Sequence, residues 1–213
     1  MTNALYLARI DPTLSEATRG FLELADQELA RVAQVATQTL RFYKQSTAPT
    51  VVDVSQIVEQ VVQIFEARLR SLPVKVIREY SGDCSLYCFG DELRQVFANL
   101  ISNAQDAMPE GGRLRLRVRP ETSPQAGGGR GIRVIVADTG LGIPEDVRHQ
   151  IFEPFVSTKA DTGTGLGLWV SDGIVRKHGG KIRVRSHCDG EVHGTVFSMF
   201  LPANGVSAGE SPA

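Results

Sequence analysis

The sequence predicts an α+β fold: a two-layer sandwich, with helices on one face of a mixed β-sheet, preceded by an incomplete helical hairpin. Three observations carry that prediction. From Val54 to Leu201 helical and strand periodicities intermix without strict βαβ alternation. Several of the strand-like runs are joined by short loops. Before them, Leu14 to Tyr43 contains no proline and a single glycine, Gly20, and carries a separate heptad seam.

The elements follow in chain order. Asn3 to Ile10 reads as the end of a helix, stopped by Asp11-Pro12. Leu22, Ala25, Leu29, Val32, Ala36, Thr39 and Tyr43 then alternate spacings of three and four, as a long bundle helix requires. One hairpin has too little core to stand alone. Its seam packs either on the chain's own second domain or on a second copy, in a homodimeric four-helix bundle. Gln45 to Thr50 reads as a linker, and Asp53-Val-Ser-Gln56 resembles a capping box. Val54, Ile57, Val58, Val61 and Phe65 recur at helical spacing. Val74–Tyr80 and Cys84–Phe89 suggest strands. Asp91 is expected to cap a helix that buries Leu93, Val96, Leu100, Ala104 and Ala107. Arg113–Arg119 alternates Arg with Leu and Val, the pattern of a half-exposed strand, and Ile132–Ala137 suits a buried one. Pro120 to Gly131, rich in Gly, Pro and Ser, is expected to be a mobile hairpin loop. Helices are expected over Glu145–Ile151 and Gly167–His178, and strands over Lys181–Ser186 and Thr195–Leu201. The expected domains are 1–46, a partial helical hairpin; 47–204, the sandwich; and 205–213, a disordered tail.

Composition sets bounds. The chain has 213 residues, 42% hydrophobic and 22% charged, enough for one ordinary domain and a smaller appendage. A net charge of −1 and no Lys/Arg run give no electrostatic footprint for nucleic acid or a membrane surface. No apolar run approaches the roughly 18–20 residues of a membrane span, so a soluble, cytoplasmic piece is expected; anchoring of the parent protein would depend on upstream segments. Cys84, Cys88 and Cys188 read as reduced structural thiols. His187, Cys188 and His193 cluster, but their spacing matches no standard zinc pattern.

Three segments carry chemistry. In Asn99-Leu-Ile-Ser-Asn103-Ala-Gln-Asp106-Ala107, Asn99, Asn103 and Asp106 share one helix face. Carboxamide oxygens are hard neutral ligands, suited to Mg²⁺ already held by phosphate oxygens. Alone, such a face is more often solvated surface. In Asp138-Thr-Gly140-Leu-Gly142-Ile143, a carboxylate at a strand end can accept a hydrogen bond from an exocyclic amine such as adenine's. The two glycines let backbone approach a flat ligand; a capped Gly-rich turn is the equal alternative. In Gly163-Thr164-Gly165-Leu166-Gly167, loop N–H groups and the following helix N-terminus suit phosphate. The spacing is neither a dinucleotide fingerprint nor a Walker A loop.

In this order and spacing, the three segments resemble the N, G1 and G2 boxes of the catalytic domain shared by histidine kinases, type II topoisomerases, mismatch-repair ATPases and heat-shock chaperone ATPases. Phe152-Glu-Pro-Phe155 resembles the kinase F box. Ile174-Val175, His178-Gly179-Gly180 and Gly194-Thr195-Val-Phe197 resemble the kinase ending. The helix closing on Leu40-Arg-Phe42-Tyr43 resembles the second helix of the dimerisation and phosphoacceptor domain. The resemblance covers residues 3 to 202 and points to a sensor histidine kinase of a two-component system, with a Bergerat-type fold. It implies Asn103 as the Mg²⁺ ligand, Asn99 on phosphate or metal, and Asp138 on the adenine amine. Gly140, Gly142 and Ile143 would line the base pocket, with Thr195 near the ring through water and Asp106 beside metal-bound water. Gly163 to Gly167 would edge a lid that starts near Val156 and carries Lys159 within reach of the phosphates. Phe152 and Phe155 would anchor the lid.

The resemblance also implies ATP and Mg²⁺ as cofactors, a homodimer through the hairpin in the intact protein, and a response regulator receiver domain as partner. The family's acceptor histidine precedes a segment like Asn3–Leu7, which places it upstream of Met1. His149, His178, His187 and His193 match no acceptor motif. These residues alone are therefore expected to bind nucleotide without autophosphorylating. Asn99 stands where the family's hydrolases carry a water-activating Glu, which favours transfer over hydrolysis. A nucleotide-gated regulatory or phosphatase module, and a family ATPase, are the competing readings.

Overall fold

A computed structural model of the chain describes residues 48–123, 129–157, 164–188 and 193–206, with isolated positions between Ser15 and Ala25. The chain divides into two compact units, Met1–Lys44 and Gln45–Ala213. In the first, the Thr18 N–H donates to Ser15 Oγ at 3.2 Å, capping the helical positions around Thr18 and Gly20. The stub at Asn3–Ile10 and most of the heptad seam lie outside the described residues.

The second unit opens with β1 (Thr50–Asp53), α1 (Val54–Ser71), β2 (Val74–Tyr80) and β3 (Ser85–Cys88). α2 (Gly90–Asp106), β4 (Gly112–Ser123), β5 (Gly129–Asp138) and the single-turn α3 (Glu145–Arg148) follow. α4 (Gly167–Lys177), β6 (Lys181–His187) and β7 (Gly194–Pro202) close it. Five strands form a mixed sheet in the order β2-β4-β5-β7-β6, parallel only between β2 and β4. One sheet face presents Leu114, Leu116, Val118, Val134, Val136 and Met199. These share a single core with Val58 and Val62 of α1, Phe97 and Ile101 of α2, and Ile174 of α4. No described helix is long and apolar enough to cross a membrane.

Three local expectations are corrected. Thr50, expected at the end of the linker, instead opens a strand, Thr50–Asp53, paired antiparallel with β3 outside the main sheet. Its β-branched Thr-Val-Val run suits an edge position. Asp53 still caps α1, accepting the Ser55 N–H at 2.8 Å, an interaction typically contributing about 1 kcal/mol. Asp91 does not cap α2. The helix starts at Gly90, the Phe89 carbonyl accepts from Glu92 and Leu93, and Asp91 pairs with Arg94 inside the first turn. The loop expected over Pro120–Gly131 is shorter, because β4 and β5 stay paired out to Ser123 and Gly129. Pro120 is tolerated there because β2 pairs with β4 only as far as Val118, so beyond it β4 has one neighbour.

The near-neutral net charge hides a charged surface. On the sheet face away from the core, alternation and register gather Lys75, Arg113, Arg115, Arg117, Arg119, Arg133, Lys181, Arg183 and Arg185. Among the described residues two strand acids join them, Glu79 with Arg115 and Arg117, and Glu121 with Arg119 and Arg133. Ile135, Val196 and a Phe200 ring stacked under Arg133 run between the arginine rows.

α2 and α4 are joined at their far ends by the buried Glu92 and His178 and the exposed Lys177. Lys177 Nζ meets Glu92 Oε1 at 2.5 Å. His178, 2% exposed, bonds the Ile174 carbonyl through Nδ1 at 2.8 Å and accepts the Phe89 N–H on Nε2 at 3.2 Å. This requires the neutral Nδ1–H tautomer. Burial pushes the His178 pKa below its ordinary value, against the Ile174 carbonyl and the Glu92 carboxylate. The unfolded chain therefore binds the proton more tightly than the folded one. This contribution to stability is complete above about pH 6.5 and is lost as the pH falls toward the lowered folded value. Urea midpoints should decline as the pH drops below about 6.5, and His178→Gln should flatten that decline; an equal slope in both proteins would refute it. Gln105 of α2 is 1% exposed, and neither carboxamide atom has a hydrogen-bond partner among the described residues. Gln105→Met, close in shape, should therefore raise stability by about 1 kcal/mol in urea titrations.

Candidate functional site

Asp138 ends β5 on the core side of the sheet, because the two-residue period that buries Ile132, Val134 and Val136 also turns Asp138 inward. It is 8% exposed. Its Oδ1 accepts the Gly140 N–H at 2.9 Å and the Thr195 N–H at 3.2 Å. Burial raises its pKa, and these two N–H groups pull it back down. Oδ2 takes no hydrogen bond among the described residues and can accept one from a ligand amine.

The turn after Asp138 is built by close backbone approach. Leu141 donates its N–H to the Ala107 carbonyl at 2.9 Å, which seats the G1-like turn on the end of α2. A Cβ on Gly140 would lie 2.5 Å from that same oxygen. Gly142 adopts φ +78°, and a Cβ there would meet the His187 carbonyl oxygen at 2.2 Å. The sequence reading did not single out Ser186, which is 3% exposed and ties this corner together. Its Oγ accepts the Ile143 N–H at 2.7 Å and donates to the Gly194 carbonyl at 2.9 Å. With its one proton so used, the Ser186 hydroxyl accepts from Thr195 Oγ1 at 2.9 Å. Asp138, Gly140, Gly142, Ile143, Thr195 and Ala107 thus meet at one corner.

α2 carries the site away from that corner. The eight helical steps from Asn99 to Ala107 span about 12 Å at about 1.5 Å each, the scale of an extended nucleoside triphosphate. Asp106 is exposed at the helix end and Asn103 is half-buried. Asn99 Nδ2 donates to the Gly167 carbonyl at 3.0 Å and to Ser171 Oγ at 3.2 Å. Gly167 is the first residue of α4, so the N-like and G2-like segments are clasped directly. Thr164 and Leu166 are buried. Gly165 (φ +66°) and Phe155 (φ +67°) adopt left-handed backbone opposite each other, joined by Phe155 N–H to the Gly165 carbonyl at 3.1 Å. Lys159 and Gly163 lie outside the described residues.

Phe152 packs against the core, whereas the Phe155 ring is 66% exposed and its backbone is bonded to Gly165. The reading of the cysteines as reduced structural thiols agrees with Cys84 and Cys88 and is corrected at Cys188. Cys84 and Cys88 are buried free thiols with raised pKa values, Cys88 pushed to about 11 chiefly by burial. Cys188 is an exposed free thiol beside Gly142.

Comparison with known proteins agrees with this geometry. Residues 90–205 match the family model described as histidine kinase-, DNA gyrase B- and HSP90-like ATPase. Sporulation kinase A of Bacillus subtilis is 32% identical over 92% of this chain and 31% of its own length. The chain spans between 19% and 42% of several other curated sensor kinases. The nucleotide-free catalytic domain of histidine kinase ThkA superposes with a TM-score of 0.62 at 27% identity, covering 73% of this chain and 97% of that one. ThkA in complex with response regulator protein TrrA shares the fold, with a TM-score of 0.68 at 24% identity over 94% of this chain and 56% of that one.

The close approach at Gly140 makes a sharp expectation. Gly140→Ala should break the Leu141–Ala107 hydrogen bond and displace the turn, lowering the unfolding midpoint by an amount equivalent to about 2 kcal/mol. An unchanged midpoint would show that the turn relaxes at no cost.

Proposed function

Because the chain belongs to the histidine kinase-, DNA gyrase B- and HSP90-like ATPase family, with a catalytic ATPase domain of the histidine-kinase kind, we propose that it binds Mg·ATP as the core of a sensor histidine kinase. The observation that carries this is the buried Asp138. One oxygen is saturated by backbone N–H groups and the other is available to the adenine amine. Gly140, Gly142 and Ile143 supply the wall of the base site, with Thr195 beside it. The Asn99–Asn103 face of α2 leads to the phosphates, where Gly165 to Gly167 supply backbone N–H groups ahead of α4. The family resemblance alone assigns Lys159 and Gly163 to the phosphates.

Mg²⁺ fits this donor set. Asn99 has its amide nitrogen engaged by Gly167 and Ser171, which leaves a hard neutral oxygen, and Asn103 follows one turn on. Bound there, the ion would neutralise charge on the phosphate oxygens. The chain's own residues bind and orient. In a sensor kinase reaction the γ-phosphorus would bond to an imidazole nitrogen of an acceptor histidine, its bond to the β,γ-bridging oxygen would break, ADP would leave, and the imidazole would lose its N–H proton. Asn99 supports transfer over hydrolysis, because a carboxamide cannot take a proton from water at neutral pH. Homodimerisation through the 1–46 hairpin and relay to the aspartate of a response regulator receiver domain complete the reading. The fold shared with a kinase solved on its response regulator supports the relay.

Asp138→Asn separates binding from folding. Asparagine keeps an oxygen for the Gly140 and Thr195 N–H groups but turns a donor toward the adenine amine, and it removes a buried charge. ATP affinity in calorimetry should fall more than a hundredfold while the unfolding midpoint holds or rises. Undiminished affinity would reject the adenine assignment. For the transfer step, the chain mixed with γ-labelled ATP and the isolated histidine-bearing helical hairpin of a related sensor kinase should place acid-labile, base-stable phosphate on that hairpin.

A further inference from the structure

The clasp between α2 and α4 leaves one of its members without a role. Ser171 is fully buried, one turn into α4. Its hydroxyl donates to the Gly167 carbonyl at 2.8 Å and accepts from Asn99 Nδ2 at 3.2 Å. The second Asn99 N–H goes to that same carbonyl at 3.0 Å. These contacts fix which way the carboxamide points. A carbonyl oxygen can only accept, so the Asn99 atom facing Gly167 must be nitrogen. Ser171 spends its proton on Gly167 and offers Asn99 a lone pair, so it too selects nitrogen. Both amide protons are used, and Asn99 Oδ1 is the atom left with no hydrogen bond among the described residues. An oxygen repels phosphate and attracts a cation or a water polarised by one.

We propose that Ser171 is a positioning residue for the metal: it locks Asn99 with its oxygen outward, so that Asn99 serves Mg²⁺ and its coordinated water and makes no direct contact with phosphate. This rests on the Mg·ATP reading above and deepens it, since the family resemblance left Asn99 open between phosphate and metal. It assigns Ser171 no contact with nucleotide. Its effect runs entirely through Asn99.

The experiment measures ATP affinity by calorimetry with excess Mg²⁺ and again with EDTA, for the wild-type chain, Ser171→Ala, Asn99→Ala and the double variant. Loss of one selecting hydrogen bond should weaken ATP binding in Mg²⁺ about threefold to tenfold. Affinity in EDTA should be unchanged, and so should the unfolding midpoint to within a few degrees. In the Asn99→Ala background, Ser171→Ala should have no further effect, because the group it positions is gone. A merely structural serine would weaken binding equally with and without metal, and would do so whether or not Asn99 is present. Either result overturns the proposal, as does full Mg²⁺-dependent affinity in Ser171→Ala. A wild-type chain that binds ATP in neither condition overturns the nucleotide reading itself, and this proposal with it.

Discussion

The site depends on one buried carboxylate. Asp138 sits at the end of a strand whose other inward residues are aliphatic, and in isolation its charge would be costly there. Two backbone N–H groups make it tolerable, and each comes from a different segment: the turn after β5 and the start of β7. Satisfying the charge therefore fixes the turn and the strand together. The turn in turn rests on the last carbonyl turn of α2 through Leu141 and Ala107. A Cβ on Gly194 would stand 2.1 Å from the Asp138 carbonyl oxygen, so backbone packs directly on backbone there. The electrostatic requirement of one residue thus dictates the backbone geometry of three elements.

The second fixed point lies two turns back along α2. There Asn99 reaches α4, and at the opposite end of the same helix pair Glu92 and Lys177 meet. Both joints are polar and both span the same two helices. Between them the contact is apolar, with Phe97, Val170 and Ile174 in the common core. Apolar packing holds the helices at a distance but is indifferent to small sliding. The directional bonds at the ends set the register, and register decides where the first turn of α4 stands relative to the Asn99–Asn103 face.

Much of this was legible in the sequence, for a physical reason. The N-, G1- and G2-like segments need particular residue types at fixed spacing: carboxamides on one helix face, a carboxylate before close-packed glycines, glycines before a helix. Such needs leave a written trace. What escaped notice lacked one. β1 is four residues long, too short for periodicity, and a cap-like Asp53 at its end drew the eye to the helix instead. Pro120 signals a loop unless one knows that β2 has already ended beside it. Ser186 and Ser171 are small polar residues in ordinary strand and helix patterns, and nothing local distinguishes a buried hub from a surface hydroxyl. Phe155 reads as an apolar anchor, yet it is held through its backbone. The arginine face escaped because its members lie on four strands far apart in the chain, two of which, β5 and β6, are bridged in the sheet only by β7, which follows both in sequence. Only β4 shows alternation dense enough to notice.

That arginine face has an electrical consequence. Nine basic and two acidic side chains on one side of the sheet leave it at +7, in a chain whose total is −1. The remainder of the chain therefore carries a net −8, and a total near zero coexists with a strongly basic sheet face. At physiological ionic strength fields fade over about 8 Å, so an approaching body senses the nearest surface and not the sum. The chain would meet a charged neighbour with a preferred orientation before any contact forms, repelled on one aspect and drawn in on another. Its isoelectric point, near 6.4, describes none of this.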